Sequence, residues 1–343
     1  MNNSAHIPAE WELDSDILLA WPHRLTDWAP MLNDVHDCYV SLIDNLLAAG
    51  HRVWLICPTP DIPSRLTAYD TDRLIRLTYL TNDTWTRDYG PLTMRRPDGS
   101  LQLLDFAFNG WGLKFAANRD NLVNSELENR HGLNVPMVHH LDFVLEGGGI
   151  ESDGRGTILT TARCQMSANR NGGPSNPELG TQLRTLLGAD RVIMLNHGYL
   201  AGDDTDSHID TLARIAPHDS IIYVGCDNPD DEHYQELQAM KQEIQQLRTA
   251  DGNPYNLVEL PLPDPIFDDD GERLPATYAN YLATTRGVFM PVYGQKRKDL
   301  LAKQMLQIVF EQPVYTVDCR ALIRQHGSLH CATMQIPSST FSI

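Results

Sequence analysis

A helix-like stretch, a polar or glycine break and then a short apolar strand recur along this chain, and any fold must accommodate that unit each time it returns. The clearest helices are expected near residues 31–49, 177–188, 230–249 and 296–311. In the first, Met31, Leu32, Val35, Tyr39, Val40, Leu42, Ile43, Leu46 and Leu47 fall at three- and four-residue steps, the pattern of one apolar helical face. Gly50 follows, where helices commonly end. Strands are expected next, at 53–56, 192–195, 257–260 and 314–317. A fifth copy is expected at 134–138, preceded by a weaker helix pattern at 119–131. Successive strands lie about 60 residues apart, with one longer interval early on. Further strand-like runs at 221–224 and 288–292 give the units more than one strand each.

Repeats of a helix and mixed strands with this period can close into a ring of blades about an axis. A doubly wound parallel sheet would give a similar rhythm. No glycine-rich phosphate loop follows the first strand, where Cys57-Pro58-Thr59-Pro60 stands instead. The proline-rich run 260–265 is short and reads as a loop at a blade edge rather than a linker. One compact α/β domain spanning 1–343 is therefore expected.

Four clusters fall at comparable places in these units, shortly after a strand or just before the next. They are Trp85-Thr86-Arg87-Asp88-Tyr89-Gly90-Pro91, Glu146-Gly147-Gly148-Gly149, Asp206-Ser207-His208-Ile209-Asp210 and Gly327-Ser328-Leu329-His330-Cys331. If 208–210 is extended, His208 and Asp210 face one pocket together, because strand side chains two apart point the same way, and Asp206 can join them. His and Asp also ligate metals, but no His-x-x-x-His or similar set completes a site, so no metal is expected. Taken by itself this cluster would read as well as an exposed polar strand. Cys331 follows a Gly-Ser turn and precedes a strand-like run at 332–336, which leaves a thiol oriented and reachable, as a nucleophile requires. Its neighbour His330 is expected to point to the opposite face. Cys38, Cys57, Cys226 and Cys319 read as small buried apolar residues. Together, carboxylates, a His and a Cys in this order suggest a cysteine hydrolase and no more.

Charge narrows the partners. With 45 acidic against 27 basic side chains the net charge is -18, whereas nucleic acid and anionic membranes demand Lys and Arg. Neither is expected as a partner. A cation would be drawn to such a surface, although surplus carboxylates also simply keep proteins soluble. No apolar run approaches the ~20 residues of a membrane span. The opening residues lack the basic-then-apolar order of an export signal. Six scattered cysteines without a Cys-x-x-Cys pair suggest neither a zinc knuckle nor a disulfide scaffold. A reducing, cytoplasmic setting is the expectation, and a homo-oligomer is left open.

With these residues in view, the chain resembles the agmatine deiminases, within the family that also contains bacterial peptidylarginine deiminase. Nearly the whole length is covered. Ala9-Glu10-Trp11 with Trp21-Pro22 resembles the family's opening, and 85–91 its Trp-x-Arg-Asp-x-Gly-Pro signature. Phe108-Asn109-Gly110-Trp111-Gly112, Glu146-Gly147-Gly148-Gly149-Ile150, Asn169-Arg170-Asn171, His208-Ile209-Asp210 and His330-Cys331 follow in family order. Three departures stand out. Gly327-Ser328 replaces a common Gly-Gly, Glu151 stands where many members carry His, and Leu13-Asp14 replaces a common Pro and His.

The resemblance implies a five-bladed α/β propeller (the pentein fold) with its active site on the axis and no cofactor. It also implies roles. Cys331 would be the nucleophile and His208 the general acid/base, while Asp88, Glu146 and Asp210 would grip a guanidinium and Trp85 would line its slot. Such a cation is planar and delocalised, a poor electrophile that in-plane carboxylates can hold by forked, charge-assisted hydrogen bonds. Agmatine is the expected substrate, converted to N-carbamoylputrescine and ammonia through an S-amidino-cysteine. Peptidylarginine or free arginine is the alternative within the family. A guanidinium-binding module without catalysis, or a cysteine amidase, is the alternative outside it.

Overall fold

The computed structural model describes residues 4–59, 66–69 and 72–341. The five expected units form and share one plan. In each, a middle strand runs into a helix, and the chain returns as an outer strand parallel to the middle one. The middle strand, helix and outer strand of the first unit are Ser15–Ala20, Leu32–Ala48 and Val53–Cys57. The second has Leu101–Ala107, Val123–His131 and Met137–Val144, and the third Thr157–Thr161, Leu179–Leu187 and Arg191–Leu195. The fourth has Ser220–Gly225, Tyr234–Gln246 and Asn256–Pro261, and the fifth Gly287–Val292, Lys296–Phe310 and Val314–Asp318.

A third strand pairs antiparallel with each middle strand. In the later units it immediately precedes its partner: Leu92–Arg95, Ile150–Ser152, Ala213–Ala216 and Leu282–Thr284. In the first unit it comes from the other end of the chain, as Met334–Pro337 pairs with Ser15–Ala20. Leu74–Thr78 extends this sheet by a further parallel strand. Five small mixed sheets exclude the doubly wound alternative, which needs one continuous sheet. The antiparallel strands meet between sheets, Met334–Pro337 against Leu92–Arg95 and Ile150–Ser152 against Ala213–Ala216. This is a five-bladed α/β propeller.

The helices form on the outer side of this plan because one face of each is apolar. In Leu32–Ala48 the buried positions are Val35, Cys38, Tyr39, Leu42, Ile43 and Leu46, as the spacing predicts. Burying each Leu or Ile contributes roughly 1.5–3 kcal/mol. Gly50 follows with φ of +95°, a conformation that costs glycine little. Middle strands such as Ser15–Ala20 and Ser220–Gly225 are buried at every position, as strands covered on both faces should be. One expected element is absent. Residues 208–210 are not a strand, for His208 precedes a 3-10 turn at Ile209–Thr211. Among the described residues no helix is long and apolar enough to cross a membrane.

Candidate active site

The segment leading into each antiparallel strand carries the chemistry. Asp88 sits in the short helix Thr86–Tyr89 ahead of Leu92–Arg95, and Glu146 stands before the 3-10 turn Gly147–Gly149 and Ile150–Ser152. His208 and Asp210 precede Ala213–Ala216, and Cys331 precedes Met334–Pro337. The fifth such place, ahead of Leu282–Thr284, holds Asn280. Pseudo-fivefold repetition thus converges one polar segment from every blade.

The convergence is close. Cys331 Sγ lies 3.2 Å from Asn280 Nδ2, 3.4 Å from Asn280 Oδ1 and 3.8 Å from Asp210 Oδ2. His208 stands between two carboxylates, Nδ1 3.5 Å from Asp88 Oδ1 and Nε2 3.6 Å from Glu146 Oε2. Neither ring nitrogen has a hydrogen-bond partner. Asp88 is itself held, Oδ1 accepting from the Gly148 N–H at 2.9 Å and Oδ2 from Trp111 Nε1 at 2.9 Å. Gly148 allows this approach because a Cβ there would lie 2.7 Å from both Asp88 Oδ1 and His208 Nδ1. Glu146 receives Arg170 Nε on both oxygens, at 2.9 and 2.8 Å. Asp210 Oδ2 meets His330 Nδ1 at 2.7 Å, while Oδ1 is buried without a partner.

Burial and charge set the protonation states. Burial pushes the Cys331 thiol well above its ordinary value, and the charges of Asp210 and Asp88 push the same way. For His208 burial acts downward, but Asp88 and its other neighbours outweigh it and hold the imidazole well above its usual range. Burial raises Asp88. Burial also opposes ionisation of Glu146 and Asp210, yet the first is held low by His208 and Arg170 and the second by His330. Burial and charge thus favour the thiol form of Cys331 and the charged form of His208.

A cavity of about 120 Å³ opens onto this centre, with Asp88 and Cys331 in its wall. Trp85, Trp111 and Phe115 supply flat apolar walls, and Trp85 is braced by Trp28 at a ring-centroid distance of 5.6 Å. Gly327 also lines it, and a Cβ there would lie 2.5 Å from the Trp85 ring. The wider part is lined by Asp27, Asp83 and Asp204, which are more exposed than the centre. Burial, aided by Asp27 and Asp204, pushes Asp83 up to about 7. Burial likewise raises Asp204 to about 6. Among the described residues no lysine or arginine lines the cavity.

Several expectations change. Asp206 does not join His208 and Asp210, for its carboxylate binds Arg170 Nη1 at 2.5 Å and Lys114 Nζ at 2.7 Å. His330 does not point away, since the run 328–333 is a turn and strand alternation does not apply. Arg87 works in the framework, donating Nε to Thr333 O at 3.0 Å and pairing with Glu10 at 3.0 Å. Sequence reasoning assigned no role to Asn280, Arg170, Glu10 or Cys164. Of these, Asn280 was detectable as the missing member of the repeat. Among the described residues, Glu146, Cys164 and His208 place potential metal-ligand atoms within 4.8 Å of one another. Arg170 already occupies both Glu146 oxygens, so a cation there would face a guanidinium.

Residues 6–337 match the family described as Porphyromonas-type peptidyl-arginine deiminase. The chain belongs to this family. A Vibrio parahaemolyticus member, provisionally named an agmatine deiminase, is 30% identical over 97% of both chains. A Porphyromonas gingivalis crystal structure, provisionally named an arginine deiminase, is similar with a TM-score of 0.90 and 43% identity, covering 98% of this chain and 100% of its own. A C. jejuni agmatine deiminase, solved as a cysteine-to-serine variant with substrate bound, has a TM-score of 0.89 and 34% identity, covering 97% and 96%.

Proposed function

We propose that this protein is an agmatine deiminase, hydrolysing agmatine to N-carbamoylputrescine and ammonia. One observation carries the reading. A thiol, a histidine and several carboxylates meet at an aromatic cavity that Asp27, Asp83 and Asp204 also line, with no lysine or arginine among its described lining residues. That arrangement suits a flat cation with a second positive charge some distance away. It would repel the α-carboxylate of free arginine. The C. jejuni and V. parahaemolyticus relatives support the same choice.

In this reading Asp88 and Asp210 hold the guanidinium, Glu146, whose oxygens are already taken by Arg170, faces His208 instead of the substrate, and Trp85 stacks on the cation's face for about 1–2 kcal/mol. Orientation near the sulfur lowers the barrier by up to ~7–11 kcal/mol in favourable systems. The bound cation offsets the carboxylates that disfavour the Cys331 thiolate. With the cation bound, the Cys331 thiol releases its proton to solvent through the cavity and the resulting thiolate adds to the central carbon, after which His208 gives its proton to the departing nitrogen so that ammonia leaves. Neutral His208 then takes a proton from water as it attacks the S-amidino carbon. The C–S bond breaks, leaving the ureido product and the thiolate. Asn280, bonded to the sulfur, orients it. We assign the whole chain, 1–343, to this one catalytic domain, and a reducing cytosol suits its six free thiols.

The deciding experiment incubates purified protein with agmatine, arginine and a blocked arginine peptide, reading ammonia and ureido product. Agmatine should be strongly preferred, with Cys331→Ala inactive. Preference for arginine or the peptide would assign the other branch of the family, and release of neither product would remove the deiminase reading.

A further inference from the structure

Behind the reacting groups lies a buried chain of charges that the reaction scheme leaves unused. His330 donates Nδ1–H to Asp210 Oδ2 at 2.7 Å, and its Nε2 lies 2.6 Å from Glu10 Oε1. Glu10 Oε1 also takes Arg87 Nη1 at 3.0 Å, and its Oε2 takes Arg214 Nη2 at 2.9 Å. Arg214 is in turn paired with Glu151, the residue that departs from the family's common His. Arg214 Nη2 also lies 3.1 Å from His330 Nε2, so Glu10 and Arg214 together hold the far side of the ring.

We propose that Glu10 and His330 are positioning residues, which fix Asp210 Oδ2 so that Oδ1 remains ionised and free for a substrate N–H. The proposal rests on Asp210 binding the guanidinium, as in the reading above. Both oxygens of Asp210 are buried, one held by His330 and the other without any partner, so rotation of the carboxylate is restrained and one acceptor is left aimed. The groups facing Asp210 are His330, His208, Arg214, Asp88, Cys331 and Asn280, the last donating to its backbone carbonyl at 3.5 Å. His330 is the cation in direct contact, and its hydrogen bond and charge overcome the burial that would otherwise raise Asp210. Glu10 fixes the far side of the ring. The motif residue Glu10 thereby reaches the reaction from the opposite end of the chain.

The test compares wild type with His330→Gln and Glu10→Gln, measuring kcat and KM for agmatine across pH. Losing the charged contact should raise KM about tenfold or more. The acid limb of kcat/KM should move to higher pH, because Asp210 would then lose its charge sooner as pH falls. Glu10→Gln should shift the limb in the same direction by less. A merely structural role would lower activity at every pH and leave the limb in place, and an unmoved limb in both variants overturns the proposal. Should His330→Gln fail to fold, Glu10→Gln decides, since the Glu10 side chain is 17% exposed and less committed to the core. Calorimetric binding of agmatine to Cys331→Ser, with and without Glu10→Gln, gives the same comparison without turnover. Wild type inert towards every guanidine would instead dismiss the deiminase reading itself.

Discussion

Cys331, the proposed nucleophile, is held towards its unreactive form. Burial and two nearby carboxylates favour the thiol, so the free enzyme at neutral pH presents little thiolate. Iodoacetamide should accordingly alkylate Cys331 more slowly than an ordinary exposed cysteine at pH 7, and faster as pH rises. Rapid alkylation, unchanged from pH 6 to 8 without ligand, would show a thiolate already formed. The residues proposed to react could be named from the sequence, because side-chain chemistry such as a thiol or an imidazole is written in the residue type. Their partners could not. That Glu146 binds Arg170, or Asp210 binds His330, depends on turns that bring residues 24 and 120 positions apart together. The strand assumed at 208–210 brought His208 and Asp210 together by a rule that a 3-10 turn does not obey, and it wrongly added Asp206 to them.

At the scale of elements, the useful regularity is the segment before each antiparallel strand. Periodicity located all five helices and four of the outer strands, because apolar spacing reports a buried face, whereas the strand expected at 134–138 runs Met137–Val144. The antiparallel strands ahead of the middle strands were harder, being as short as Ile150–Ser152 and Leu282–Thr284. Missing the latter hid Asn280. The segments at 83 and 204 carry their own prediction. Asp83 and Asp204, raised to about 7 and about 6, are largely protonated in mild acid and become anions as pH climbs through 6–7. The sign follows: the cavity gains negative charge, and KM for the dication agmatine should fall over that window. A monocationic guanidine lacking the distal amine should show a much weaker fall. Equal pH dependence for the two would remove Asp83 and Asp204 from substrate selection.

For the molecule as a whole, the propeller depends on one long-range pairing, Met334–Pro337 on Ser15–Ala20, with Ile336 opposite Asp16 and Gln335 opposite Ile17. No local pattern announces such a pairing, and resemblance rather than periodicity pointed to a closed ring. Ile336 is buried, so Ile336→Pro should lose both its side chain and a ladder bond, lowering stability by about 3 kcal/mol or more. Thermal melting reads this directly, and an unchanged midpoint would mean the seam contributes little. The seam also sets an order of events during synthesis. The ribosome has delivered the other four sheets before Cys331 and its closing strand emerge, so a nascent chain short of that point would hold the proposed acid/base, the carboxylates and the aromatic walls without the proposed nucleophile. In that scheme the sulfur arrives after every other member of the site.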